Sequence, residues 1–190
     1  MKNFSPVKLF LLLILTGCAT IRKQDLTLYN ASVVTPSMVG APFTENFEKA
    51  LFKTTLDIRK NHMTGYMLVK KTSDSSYRMV FANEIGMTWF DLELINEKLI
   101  KHAVFGPMDK KALMRIFQQD FSALIYTVKA KPMPEVFSVS SSENIALIGG
   151  ANPFIKYRID FEKHLSGKAQ RIVLINPAIQ LRMTLNLIGQ

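Results

Sequence analysis

Few residues in this chain are of types that carry out covalent or acid–base chemistry in a recognisable pattern. The three histidines, His62, His102 and His164, are 40 and 62 residues apart and form no paired metal-ligand motif. Asp91 and Glu93 alternate with apolar residues, which places both carboxylates on one strand face, normally a solvated one. No Gly-x-Ser-x-Gly elbow is present. We therefore predict no metal, no cofactor and no enzymatic activity, and convergence of the histidines on zinc is the less favoured alternative.

The single cysteine stands at the end of an apolar run near the start of the chain. Lys2 and Lys8 provide positive charge, and Leu9–Leu15 is too short for the roughly 20 residues of a membrane-spanning helix. The tetrad Leu15-Thr16-Gly17-Cys18 resembles the bacterial lipobox, in which the cysteine sulfur takes a diacylglycerol. We predict a signal peptide over residues 1–17 and an N-terminal lipid on Cys18. The alternatives are an ordinary secretory signal with a chance cysteine, or an uncleaved anchor.

The residues after Cys18 indicate which membrane holds the protein. Ala19, and not aspartate, follows the cysteine directly, which favours the outer membrane over retention at the inner membrane. No acidic run follows either, which favours a side facing the periplasm. Acylation would consume the only sulfur that could form a disulfide or a cysteine metal site.

The remaining chain is long enough for one domain with a sizeable core. Removing residues 1–17, which contain Lys2 and Lys8, leaves 173 residues with 22 basic and 15 acidic side chains. The basic residues are scattered singly and accompany no nucleic-acid motif, so we expect anionic lipid head groups as neighbours and no nucleic acid. Turn-forming residues predict a lipidated tether over 18–42 and a single domain over 43–190.

Strict alternation of apolar and polar residues dominates the rest of the chain and predicts about ten strands. Short turns between them favour an antiparallel meander, because parallel strands need longer crossovers. The predicted strands are Phe52–Arg59, Met67–Val69, Tyr77–Ala82, Met87–Leu94, Leu99–Phe105, Val136–Val139, Ile145–Ile148, Ile155–Phe161, Arg171–Ile175 and Ile179–Ile188.

One segment changes to helical period. Asp109 is the expected N-cap of an amphipathic helix of four to five turns that ends before Lys131–Pro134. A second, weaker helix is expected around Glu45–Leu51. The long helix is either a plug in the core or a lid over an apolar cavity. The residues that recur at helical spacing along one face are Ala112, Leu113, Ile116, Phe117, Asp120, Phe121, Leu124 and Ile125.

Several of these strand segments resemble a known family. Thr64–Lys70, Tyr77–Phe81, Asn83–Thr88 and Asp91–Leu94 are similar to segments of the LolA/LolB-like superfamily of lipoprotein carriers and receptors, and most closely to LolB-type outer-membrane receptors. The resemblance implies a mainly β fold, an antiparallel half-open β-barrel around an amphipathic helix that covers a cavity for acyl chains. It extends from Leu51 to the C-terminus, about three quarters of the chain.

The resemblance also assigns one residue a role. The family's protruding turn carries a leucine that inserts cargo into the membrane, and Ile85 occupies that position, with Glu84 where the family has proline. An isolated apolar side chain at a polar turn can dip into a membrane interface. The alternative is that Ile85 folds back into the core.

Two functional hypotheses follow. The first is a monomeric membrane-anchored lipoprotein that binds acyl chains of lipids or lipoproteins, receives them from a LolA-like periplasmic carrier and helps deliver them to the outer membrane. The second is a structural or interaction lipoprotein of the same fold with a filled core. The residues predicted to line the lipid cavity of the first are Leu56, Ile58, Met67, Val69, Met79, Phe81, Phe90, Leu92, Leu113, Ile116, Phe117 and Phe121.

Overall fold

A computed structural model of the chain describes Phe43 and residues 46–126, 136–138, 145–152, 155–165 and 168–189. The predicted signal peptide, the predicted tether and Cys18, the predicted lipidation site, lie outside the described residues.

The described residues form ten strands and one α-helix. The helix, α1, is Lys111–Tyr126 and follows the fifth strand. The strands are β1 Lys49–Ile58, β2 Asn61–Ser73, β3 Ser76–Ala82, β4 Thr88–Ile95, β5 Lys98–Val104, β6 Val136–Ser138, β7 Ile145–Asn152, β8 Ile155–Leu165, β9 Lys168–Asn176 and β10 Leu181–Gly189.

The strands form one antiparallel sheet, in the order β5-β4-β3-β2-β1-β10-β9-β8-β7-β6. Within β1–β5 and within β6–β10, strands that follow each other along the chain pair with each other, and the pairing of β1 with β10 joins these two halves. Within the described ranges β5 and β6 are the two edges and do not pair, so the sheet stays open. The predicted half-open antiparallel barrel around one helix is confirmed.

Alternation along the strands sets which face is buried. In β1 the side chains of Phe52, Thr54 and Leu56 point inward, and the lysines Lys49 and Lys53 point outward. The turn between β4 and β5 is a two-residue hairpin loop, in which Asn96 and Glu97 both have positive φ, at 47° and 66°. Lys49–Leu51 belongs to β1, so the expected helix around Glu45–Leu51 is wrong: the alternating burial of this segment suits a strand.

The helix lies against the concave side of the sheet and completes the core. The Phe90 ring of β4 lies 5.3 Å from that of Phe117 and 6.1 Å from that of Phe121, and Phe81 of β3 lies 5.5 Å from Phe90. Helix α1 begins two residues after Asp109, the predicted N-cap. That carboxylate instead accepts a hydrogen bond from Lys101 Nζ of β5, at 2.6 Å.

Because the strands are antiparallel, alternate connections meet at one end of the sheet. Ile58 pairs with both Asn61 and Leu181, so the β1–β2 and β9–β10 turns are adjacent. The β3–β4 turn and the start of α1 lie at the same end by the strand directions. We call this end the mouth of the half-barrel. Among the described residues, the connections at this end are 59–60, 83–87, 105–110 and 177–180.

One glycine permits a close approach near the mouth. A Cβ atom on Gly65 of β2 would lie 2.0 Å from the carbonyl oxygen of Ala82 and 2.8 Å from the Cα of Asn83. Both contacts are backbone atoms that cannot rotate away. Gly65 therefore sets where β3 ends and where the β3–β4 turn begins.

Replacing Gly65 with alanine should lower the free energy of unfolding by about 1–3 kcal/mol, because the backbone at Ala82 must move. Urea unfolding followed by circular dichroism measures the change. Gly106→Ala is the matched control, since a Cβ there meets nothing within 4 Å. Equal effects of the two substitutions would contradict this role of Gly65.

Candidate functional site

The twelve residues predicted to line a lipid cavity lie together on the concave side of the sheet. All belong to one apolar cluster, in which Ile58 is half-buried and the other eleven are buried. In this structure the four that belong to α1 pack against those of the sheet, as Phe117 and Phe121 do against Phe90. Their role as a lipid lining stays a prediction.

A pocket of about 610 Å³ lies at the mouth of the half-barrel. This volume falls within the roughly 300–1,000 Å³ of small-molecule sites. Ile58 and Leu113 are the only residues of the predicted lining that contact it. Most of its other apolar residues come from connections and strand ends: Met63, Trp89, Phe105, Pro107, Met108, Ala112 and Ile179.

Backbone hydrogen bonds hold the connections around this pocket. Arg59 N donates to the carbonyl oxygen of Gln180 at 3.1 Å, which ties the β1–β2 turn to the β9–β10 turn. Phe105 N donates to the carbonyl oxygen of Trp89 at 2.8 Å, and their rings pack edge to face at 5.3 Å. The pocket walls are therefore fixed by main-chain contacts as well as by side-chain packing.

Trp89 has a polar atom without a partner. Its Nε1 is buried and makes no hydrogen bond to any residue that the structure describes. A buried indole N–H normally finds an acceptor. Trp89 is also the only tryptophan in the chain, so its fluorescence would report on this pocket alone.

The pocket rim is positively charged. Arg59, Lys60 and Lys110 line it, and none of the three makes an ion pair within the described part of the chain. His62 also lines the pocket, and its Nδ1 contacts the Asp57 carboxylate. Among the described lining residues there is no aspartate or glutamate, so the mouth attracts anions.

The β3–β4 turn projects the predicted membrane-insertion residue at this same end. Asn83 closes the turn: its backbone N–H donates to the Met87 carbonyl oxygen at 2.9 Å, and its Oδ1 accepts from Met87 N at 2.8 Å. Gly86 supplies the required positive φ of 87°. Ile85 is 90% exposed and does not fold back into the core.

The outer face of β3–β5 holds the most connected polar cluster in the described residues. Glu93 accepts hydrogen bonds from Ser76 at 2.6 Å and Thr72 at 2.9 Å, and its Oε2 lies 2.9 Å from His102 Nε2. These hydrogen bonds, that of Ser76 foremost, lower the pKa of Glu93 to about 2. The carboxylate separates Ser76 from His102, so this cluster lacks the serine–histidine contact of a nucleophilic triad.

The described residues contain neither a metal-ligand cluster nor a membrane-spanning helix. No three His, Cys, Asp or Glu side chains in these ranges come close enough to hold a metal ion. Over the same ranges, no helix combines the length and the apolar character needed to cross a bilayer.

A buried acid joins α1 to the sheet beneath it. Asp120 Oδ1 accepts a hydrogen bond from Asn176 Nδ2 of β9 at 3.3 Å, and both side chains are fully buried. The remaining oxygens, Asp120 Oδ2 and Asn176 Oδ1, have no partner among the described residues. Burial raises the pKa of Asp120 to about 7. A proton on Oδ2 could be shared with Asn176 Oδ1, which would satisfy both atoms.

Replacing Asp120 with asparagine should stabilise the protein at alkaline pH. The folded-state pKa lies above the ordinary value of about 3.9, so the neutral acid stabilises the fold fully below pH 4 and this contribution is lost as the pH rises through 7. At pH 8.5 we expect Asp120→Asn to gain about 2 kcal/mol over wild type, and less at pH 5. Urea unfolding at both values measures the difference, and a gain independent of pH would contradict the assignment.

Comparison with known protein families and curated sequences identifies no relative. No protein-family model matches the chain, and no curated protein sequence matches it.

Proposed function

We propose that this protein is a lipoprotein, anchored through Cys18 in the bacterial outer membrane and facing the periplasm, that binds acyl chains and helps deliver them to that membrane. The observation that carries the proposal is the apolar pocket at the mouth, next to the exposed Ile85 turn. The sequence resemblance to the LolA/LolB-like superfamily supports the same function. A LolA-like carrier would supply the cargo, and no covalent step is needed.

The pocket has the chemistry that an acyl chain requires. Burying apolar surface is favourable by about 25 cal/mol per Å², so a chain enters without any polar anchor. Met63 and Met108 line the pocket beside the aromatic rings of Trp89 and Phe105. Unbranched methionine side chains adapt to chains of different length and shape.

The turn at Ile85 offers a route out of the pocket. Ile85 and the half-exposed Met87 lie at the same end of the sheet as the pocket, as does half-exposed Phe105. Apolar side chains at this end can enter the membrane surface and bring the pocket next to the bilayer. The chain then leaves because the bilayer provides an equally apolar environment.

The second candidate function, a structural lipoprotein without cargo, is favoured by a different observation. The rings of Phe81, Phe90, Phe117 and Phe121 pack against one another on the concave side. Because the core is filled in this way, a ligand could bind only in the pocket at the mouth. The two candidates differ in whether that pocket takes up a chain.

Filling the pocket should weaken chain binding. We expect a brominated dodecanol to quench Trp89 saturably, because the bromine of a bound chain contacts the only indole. Ala112, which lines the pocket and is exposed, becomes Phe in the test variant, and we expect affinity to fall about tenfold or more. The assay uses the full chain held in a non-ionic amphipol.

Gln118→Phe is the matched control for the pocket variant, since Gln118 is exposed on the same helix and does not line the pocket. The brominated dodecanol should quench Trp89 in this variant as it does in the wild type. Absence of saturable quenching in wild type, or normal quenching in Ala112→Phe, would favour the structural candidate.

Replacing Ile85 with glutamate should slow delivery without weakening binding. Burying an isoleucine is worth about 1.5–3 kcal/mol, so losing its insertion should reduce the transfer rate about tenfold. The measurement follows a bound fluorescent fatty acid moving from the protein to acceptor vesicles. Ile100→Glu is the control, because Ile100 is half-exposed on β5 towards the opposite end of the sheet. Equal rates for both variants would exclude a role for the Ile85 turn.

A further inference from the structure

We infer that the pocket at the mouth selects amphiphiles whose head group carries an anionic phosphate or carboxylate, over neutral chains of the same length. This inference rests on the proposed function, since it concerns the head group of the chain bound there. It is carried by the arrangement of unpaired cations around an apolar cavity.

The cations occupy the rim from two sides. Arg59 and Lys60 form the β1–β2 turn, and Lys110 immediately precedes α1. A ligand whose chain lies among Met63, Trp89 and Phe105 would therefore have cations on both sides of its head group. Such a head group gains charge-assisted hydrogen bonds that an alcohol cannot make.

The nearby carboxylates do not neutralise these cations. Asp57 contacts His62, and Asp109 accepts from Lys101 Nζ at 2.6 Å. Glu84, on the neighbouring β3–β4 turn, does not line the pocket. The positive charge at the rim is thus available to a ligand.

One further feature favours an anion. Helix α1 begins beside the pocket, and Ala112 and Leu113 of its first turn line the cavity. The helix dipole adds partial positive charge there.

The experiment compares head groups on one chain length. Dodecyl phosphate, dodecanol and inorganic phosphate each compete with brominated dodecanol for quenching of Trp89, with the full chain in non-ionic amphipol. We expect dodecyl phosphate to displace the reporter at about tenfold lower concentration than dodecanol. The reason is that its phosphate would interact with three exposed cations at the rim, each contributing modestly. Added salt should shrink this ratio.

A triple variant tests the cations directly. Arg59→Gln, Lys60→Gln and Lys110→Gln together should remove the preference, so that dodecyl phosphate and dodecanol displace the reporter at the same concentration. The matched control removes the same charge from Lys53, Lys70 and Lys98, which are exposed, outside the pocket and in no ion pair within the described residues. That control should keep the tenfold preference.

The outcomes separate this inference from the proposed function. Equal displacement by dodecyl phosphate and dodecanol in wild type would overturn the head-group selection and leave chain binding intact. If inorganic phosphate, which has no chain, displaced the reporter as well as dodecyl phosphate does, the head-group selection would be overturned in favour of a site for free phosphate. No saturable quenching by the brominated reporter would overturn the proposed function itself.

Discussion

Coverage of one sheet face by one helix is the constraint on which this structure depends. A curved sheet whose inward side chains are apolar must bury them against something, and α1 presents nine buried residues to that face. The Phe90 contacts with Phe117 and Phe121 lie near the middle of this contact. Because the helix fills the middle of the concave side, the pocket is left at the end where α1 begins.

The buried Asp120–Asn176 pair shows how closely the helix is held. A carboxylate deep between helix and sheet is costly when charged and inexpensive when protonated. Its raised pKa therefore couples the docking of α1 to pH. The helix that completes the core is also the element whose first turn borders the pocket, so stability and the proposed binding site share one structural element.

Most of the fold could be predicted because its signals are local. Alternation predicts all ten strands and the change to helical period predicts α1, since each pattern depends on residues a few positions apart. Asp109 shows the limit at boundaries: an N-cap type is present, but the competing ion pair with Lys101 lies eight residues away. The pairing of β1 with β10 spans most of the domain and has no local signal beyond the resemblance.

The pocket could be predicted only in part because its residues come from connections that only the sheet order brings together. The sequence predicts that a strand begins at Ile179, but Pro177–Ile179 forms a 3₁₀ turn, Gln180 caps it in the left-handed region, and β10 begins only at Leu181. Trp89 alternates with the inward Phe90, which predicts an outward position. The Phe105 ring packs against the Trp89 ring and helps to bury it. This contact depends on the connection from β5 to α1.

The unpaired side of β5 has a consequence for how copies of this chain meet. An edge strand offers a row of free N–H and C=O groups to any other strand, which can lead to aggregation. Lys98 lies on this edge strand and makes no ion pair within the described residues, whereas Lys101 contacts Asp109 and His102 contacts Glu93. The unpaired charge of Lys98 discourages two such edges from pairing with each other.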